Sequence, residues 1–249
     1  MKKLLQSLIF LIFLSIPVAH PQEARDIVKK ADEKAKGKTS IANITIQTIR
    51  PNWNRVMTMK AWMKGNDYAL LLFLSPAKEK GVVFLKRKKE VWNWIPSIER
   101  NIKMPPSMMS QSWMGTDFTN DDLVKEASIL YDYNHFFLED TTIDGKSCYT
   151  IQLLPKPKSA VVWGKLIMFI DKQDFIMLQV NYFDEENTLI NSMYCSDIKM
   201  LGGRLLPARM EMIPSDKKGY KTVLIYNSLL FDSPMEDAFF TSQNISKIK

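Results

Sequence analysis

From Ser40 to Phe231 the hydropathy of the chain keeps returning to a period of two, and that period constrains the fold more than any other feature. Ile44, Ile46 and Thr48 alternate with Asn43, Thr45 and Gln47, as in a strand with one face in a core and one in water. Arg55–Lys64 and Asp67–Ser75 follow, joined at Gly65-Asn66, a hairpin signal. Val82–Leu85 and Glu90–Ile95 pair around the basic turn Lys86, Arg87, Lys88 and Lys89. The second half repeats the rhythm at His135–Asp140, Ser147–Leu154, Gly164–Asp171, Phe175–Phe183, Leu189–Met200, Arg204–Ile213 and Lys221–Phe231. Asp144-Gly145, Gly202-Gly203 and other polar turns separate them. Many short strands with tight turns predict a mainly β protein, a sandwich or an open barrel. Ahead of them, Ala24, Ile27, Val28, Ala31 and Ala35 form one apolar stripe, which predicts a helix over Glu23–Lys36 ended by Gly37.

The first nineteen residues read as a secretory signal peptide. Lys2 and Lys3 precede an apolar run from Leu4 to Val18, with Pro17 near its end and Ala19 at the cut. The run is shorter than the roughly 20 residues a membrane span needs. The expected product is residues 20–249, one β domain located in the periplasm. Losing Lys2 and Lys3 lowers the formal charge of +7 by two. The remainder is too dispersed to point to nucleic acid. Cys148 and Cys195 are the two cysteines; two predicted strands lie between theirs, which favours separate buried thiols over a bridge.

Several strands are apolar at every position. Tyr68–Leu74 reads Tyr-Ala-Leu-Leu-Leu-Phe-Leu, and Leu166–Ile170 reads Leu-Ile-Met-Phe-Ile. A sheet with one face in water alternates instead, so these strands are expected to be covered on both faces, one of them by a helix or a lid. Met104–Lys125 breaks the strand rhythm. It contains Pro105-Pro106, Met108, Met109, Trp113, Met114 and Gly115, and Asn120 is expected to cap a short helix from Asp121 with Leu123 and Val124 as its apolar residues. Methionine suits surfaces that adapt to varied apolar partners, so the segment reads as a helical flap over a groove.

Equipment for catalysis is thin. Apart from His20 at the expected new N-terminus, His135 is the one histidine, beside Phe136-Phe137, and is expected to be structural; no Gly-x-Ser-x-Gly elbow or phosphate-cradling glycine loop occurs. Neither a metal nor another cofactor is expected. Asp117, Asp121 and Asp122 cluster without the ligand spacing of a calcium loop. Asp121 and Asp122 read as first-turn acids of a helix, the alternatives for the cluster being a held cation or an acid/base pair. The Lys86–Lys89 turn reads as a solvated tip, the alternative being contact with an anionic surface.

Two stretches carry a family resemblance. One is Val91-Trp92-Asn93-Trp94-Ile95-Pro96 followed by Glu99-Arg100 and Lys103. The other is Ser112-Trp113-Met114-Gly115-Thr116-Asp117-Phe118-Thr119-Asn120-Asp121-Asp122-Leu123. Together they resemble the LolA-like outer membrane lipoprotein-sorting proteins. The resemblance implies a strongly curved, incomplete antiparallel β-barrel with an N-terminal helix and a helical flap on its concave face. It also implies a non-enzymatic carrier of lipid or lipoprotein acyl chains. The expected apolar lining and lid are Trp92, Trp94, Met108, Met109, Trp113, Met114 and Phe118, with Arg100 as the head-group candidate and Arg50 and Arg55 as further candidates for a cavity arginine. Acyl chains and an inner-membrane transporter are the expected partners of a monomer. The alternative is an interaction module that binds a partner protein or assists an inner-membrane lipid exporter.

Overall fold

The computed structural model describes residues 21–88, 90–124 and 129–248. The signal-peptide reading, Lys89 and the side chains of Leu123 and Val124 therefore fall outside the described part. Helix α1 spans Pro21–Lys36. The strands are β1 Thr39–Arg50, β2 Trp53–Lys64, β3 Tyr68–Ser75, β4 Val83–Arg87, β5 Glu90–Ile95, β6 Arg100–Lys103, β7 Tyr133–Phe137, β8 Thr141–Ile143, β9 Lys146–Pro155, β10 Lys165–Asp171, β11 Met177–Phe183, β12 Leu189–Leu201, β13 Arg204–Pro214 and β14 Lys221–Phe231. No helix among them is long and apolar enough to cross a membrane.

All fourteen strands belong to one antiparallel sheet. Its order is β6-β5-β4-β3-β2-β1-β14-β13-β12-β11-β10-β9-β7, with β8 also on β9. Each half is a run of hairpins between sequence neighbours. The single long-range seam joins β1 to β14, from Ser40 opposite Phe231 to Ile49 opposite Lys221. Among the described residues β6 and β7 do not pair, so the barrel stays open. It is nonetheless strongly curled. Leu71 of β3 and Leu166 of β10 line the same cavity. Seven inter-strand spacings separate those strands, which would be about 33 Å in a flat sheet.

The curl gives an inner and an outer face, and the fully apolar strands are explained by cover on both. In β3, Leu71 and Phe73 point inward, packing with Ile44, Ile46, Met57 and Met59. Leu70 and Leu72 point outward, against a segment following β14 whose Phe240 and Ile245 are fully buried. In β10, Leu166, Met168 and Ile170 face the inner core, whereas Phe169 packs with Cys148, Ile176 and Leu178. Helix α1 seals part of the inner face through Ala24, Val28 and Ala31, which meet Tyr133, Ile151 and Leu153. Ala35, expected on the same stripe, is exposed where the helix ends.

Cys148 and Cys195 are buried thiols not joined in a disulfide; they lie in different clusters, on strands separated by β10 and β11. His135 is buried in β7 and its pKa is pushed down to about 4, chiefly by burial. The sequence rhythm missed β6 and β8. All four residues of β6 are exposed, so it carries no inward-outward contrast to read. Strand β11 begins at Met177 and not Phe175, because Phe175 turns into the left-handed region at φ 53°.

Candidate functional site

The site is built by the inner sheet face and by the segment that leaves β6 and returns to β7. Short helical pieces along it include Pro106–Met108, Trp113–Gly115 and α2, Asn120–Val124. A bridge between Ser112 and Thr119 folds its middle into a tight excursion, closed by the Trp113 amide donating to the Phe118 carbonyl at 2.8 Å. Met114 and Gly115 turn through the left-handed region, at φ 51° and 72°, and the glycine makes the second of these inexpensive. The excursion delivers Trp113 to the inner face, 99% buried, with its ring centroid 5.5 Å from that of Phe73 and 5.6 Å from that of Phe84.

Arg50 fastens this segment to the sheet. Its guanidinium donates to both oxygens of Asp117, at 2.9 and 3.0 Å, and both side chains are 7% exposed. It donates further to the carbonyls of Gly115, Lys221 and Ile49, and lies against the rings of Tyr220 and Trp53. The Thr222 hydroxyl donates to Asp117 Oδ2 at 2.7 Å and accepts from the Asp117 amide at 2.9 Å. Asn191 of β12 donates to the Asp117 carbonyl. Three strands, β1, β14 and β12, thus hold one carboxylate-bearing turn. Arg55 adds a bond to the Met114 carbonyl and faces Glu79 at 3.7 Å.

The capping expectation needs correcting. Helix α2 starts at Asn120, so Thr119 is its cap. The Thr119 hydroxyl accepts from the Asp122 amide at 3.1 Å, and Asp122 Oδ2 accepts from the Thr119 amide at 2.8 Å, a reciprocal capping box. Asn120 instead donates to the Met108 carbonyl. Asp122 Oδ1 accepts from the Trp163 indole at 2.7 Å. Burial pushes the Asp122 pKa up to about 6, against the lowering effect of its bonds to Thr119 and Trp163.

Between segment and sheet lies a cavity of about 120 Å³. Six methionines line it, Met59, Met63, Met168, Met177, Met193 and Met210, together with Ile44, Ala61, Leu71, Leu166, Val180 and Leu224. Phe118, Ile129, Tyr133, Trp163, Tyr182, Tyr226, Asp121 and Asp122 complete the wall. An apolar hollow of this size takes about one benzene-sized hydrocarbon.

Of the residues expected at the lining, Phe118 alone reaches this cavity. Trp113 and Met114 belong to the neighbouring inner cluster around Phe73. Met109 packs with Val91 and Val162, and Met108 is half-buried in the segment. Trp92 and Trp94 lie on the outer face with Leu70, Leu72 and Phe240. Arg100 is exposed on the edge strand β6. The lining comes from methionines at inward positions of the strands, which the emphasis on the Met104–Met114 cluster passed over. Asp117 is engaged with Arg50 and does not line the cavity, whereas Asp121 and Asp122 do.

The open, curled sheet with its N-terminal helix is a fold with solved counterparts. Solved structures match it over nearly their whole length. A DUF1329 family protein from Desulfovibrio piger ATCC 29098 superposes with TM-score 0.81 at 18% identity, covering 91% of this chain and 100% of that one. A putative outer membrane lipoprotein-sorting protein domain from Vibrio parahaemolyticus gives 0.80 at 18% identity, with the same coverage. The LolA superfamily protein NE2245 from Nitrosomonas europaea gives 0.76 at 22% identity, covering 88% and 98%. The family model described as "-like: Uncharacterized protein" matches residues 65–247, and the chain belongs to that family. Among curated protein sequences no match is found.

Proposed function

We propose that this chain is a non-catalytic carrier of lipid or lipoprotein acyl chains in the periplasm, exported with loss of residues 1–19 and working as one domain over residues 20–249. The observation that carries the reading is the methionine-lined hollow beneath the curled sheet. Methionine adapts to irregular apolar shapes, and the sheet supplies six of them from strands on both sides of the β1–β14 seam. The relatives named above as lipoprotein-sorting and LolA superfamily proteins support the same reading.

Burial of methylenes drives loading at about 0.8 kcal/mol each, on the order of 10 kcal/mol for a sixteen-carbon chain before ordering costs. The hollow of 120 Å³ holds only the end of such a chain, so carriage of a whole chain requires it to widen. Loading displaces the Met104–Val124 segment, which in this reading is the lid over the concave face. Its Trp113 and Phe118 cover the apolar wall when no cargo is present.

Delipidated protein is expected to take up a fluorescent fatty acyl probe, and lipid is expected in the mass spectrum of protein purified from envelopes. Ala61 is fully buried on the cavity wall, and Ala61→Phe should cut probe uptake several-fold. If the delipidated protein takes up no probe and the purified protein carries no lipid, the carrier reading fails.

A second reading rests on the outer edge of β6, which pairs with no further strand among the described residues. An extended peptide of a partner protein adds there as a further strand, making the chain an interaction module or an accessory of an inner-membrane exporter. Crosslinking through β6 to a peptide, without copurifying lipid, separates this from carriage.

A further inference from the structure

Four turns lie side by side along one rim of the sheet, because they join β13 to β14, β1 to β2, β3 to β4 and β5 to β6, consecutive hairpins in the sheet order. Each touches the next. Gly219 sits against the Pro51 ring. Arg55 faces Glu79 at 3.7 Å. The Pro96 ring lies 3.1 Å from where a β-carbon on Gly81 would stand. This rim carries large apolar side chains in water: Trp53 at 50% exposure, Val56 at 51%, Leu74 at 41% and Ile98 at 53%. Scattered single residues of this kind are ordinary, but one on a turn and three in the strand ends beside adjoining turns are not scattered.

The charge around them is one-sided. Lys78, Lys80, Arg100, Lys217 and Lys218 are exposed on these turns, against exposed Glu99 and Asp216. Glu79 is buried against Arg55, and Asp117 behind the rim is engaged by Arg50, so neither offsets the cations. The basic run has a boundary: the turn between β11 and β12 carries exposed Glu185 and Glu186.

We propose that this rim docks on an anionic lipid surface. Trp53, Val56, Leu74 and Ile98 enter the headgroup layer, and the lysines and Arg100 meet lipid phosphates. Tryptophan favours that interfacial depth, and juxtaposed lysines are drawn to anionic leaflets. A protein partner would need an acidic surface with pockets matched to four separated side chains. A lipid interface takes them at any spacing. Docking of this kind requires no acyl chain in the hollow, so it stands or falls apart from the carrier reading.

The test is flotation of the purified full chain with vesicles of three parts phosphatidylethanolamine to one part phosphatidylglycerol, and with vesicles of phosphatidylcholine alone. The chain is expected to float with the anionic vesicles, weakly or not at all with the neutral ones, and to release in 0.5 M salt. Two variants address the two ingredients: Lys217→Glu with Lys218→Glu, and Trp53→Ser with Ile98→Ser. Each should lower partitioning at least tenfold while far-UV circular dichroism and fatty acyl probe uptake stay unchanged. Lys86→Glu with Lys88→Glu, on the hairpin tip at the opposite end of β4 and β5, should have no effect. The proposal is overturned if the unaltered chain ignores anionic vesicles or binds both kinds equally. It is overturned as well if the rim variants bind undiminished, or if the Lys86/Lys88 variant is the one that loses binding.

Discussion

Arg50 and Asp117 are each withdrawn from water and depend on one another. Removing one partner of a buried pair leaves an uncompensated charge, which typically costs 3–5 kcal/mol. Arg50→Met should therefore lower the urea unfolding free energy by about that much, whereas Arg50→Met combined with Asp117→Leu should recover a large part of it. A second residue-scale prediction concerns pH. The folded pKa of Asp122 is raised to about 6 from 3.8. The folded chain therefore takes this proton before the unfolded chain does, and the group adds stability as pH falls from above 6 toward 3.8. His135 does the reverse, with a folded value of about 4 against 6.5. The unfolded chain is protonated first, so stability is lost as pH falls from 6.5 through 4. The two oppose each other over the same interval. Relative to the unaltered chain, His135→Asn should gain denaturant resistance between pH 7 and 4.5, and Asp122→Asn should lose it. The Arg50–Asp117 pair was not legible beforehand: Asp117 reads as one of a cluster of acids, because nothing local signals a partner 67 positions away.

At the scale of elements, legibility followed amphipathicity. Strands with an inward row, such as β1 and β2, declared themselves by alternation, and the turn at Asp144 and Gly145 by two residues suited to positive φ, here 47° and 76°. The doubly covered β3 announced that something lay on its second face without saying what. The cover is the stretch after β14, which has no regular period of its own and is held by Phe239, Phe240 and Ile245. Phe240 is fully buried, and Phe240→Ala should cost about 3–5 kcal/mol. It should also raise binding of an apolar-surface dye at the outer face, with Trp92 and Trp94 newly wetted. Acyl-probe uptake on the inner face should be nearly unchanged, since the sheet lies between.

For the molecule as a whole, the hollow is a property of curvature, and curvature is not written at any one position. The resemblance in the Val91–Lys103 and Ser112–Leu123 stretches pointed to an open, curled sheet with an N-terminal helix, yet most residues that carried it do not line the hollow. The methionines that do line it sit singly on separate strands, and only the sheet order brings them together. Their flexibility predicts a hollow that swells with its contents. Probes of eight to sixteen carbons should bind progressively more tightly, with no sharp length limit, while the rigid Ala61→Phe wall should penalise the longest most.

The seam between β1 and β14 ties residues 40–49 to residues 221–231, and that has a consequence in time. Hairpins on either side form from nearby sequence, but closing a loop of such length is slow. A ribosome that has made everything up to residue 220 has made two half-walls with no keystone. Until the final strand arrives, the oily lining is open to whatever chaperone or neighbour is at hand, and a chain cut short at that point has no interior to close.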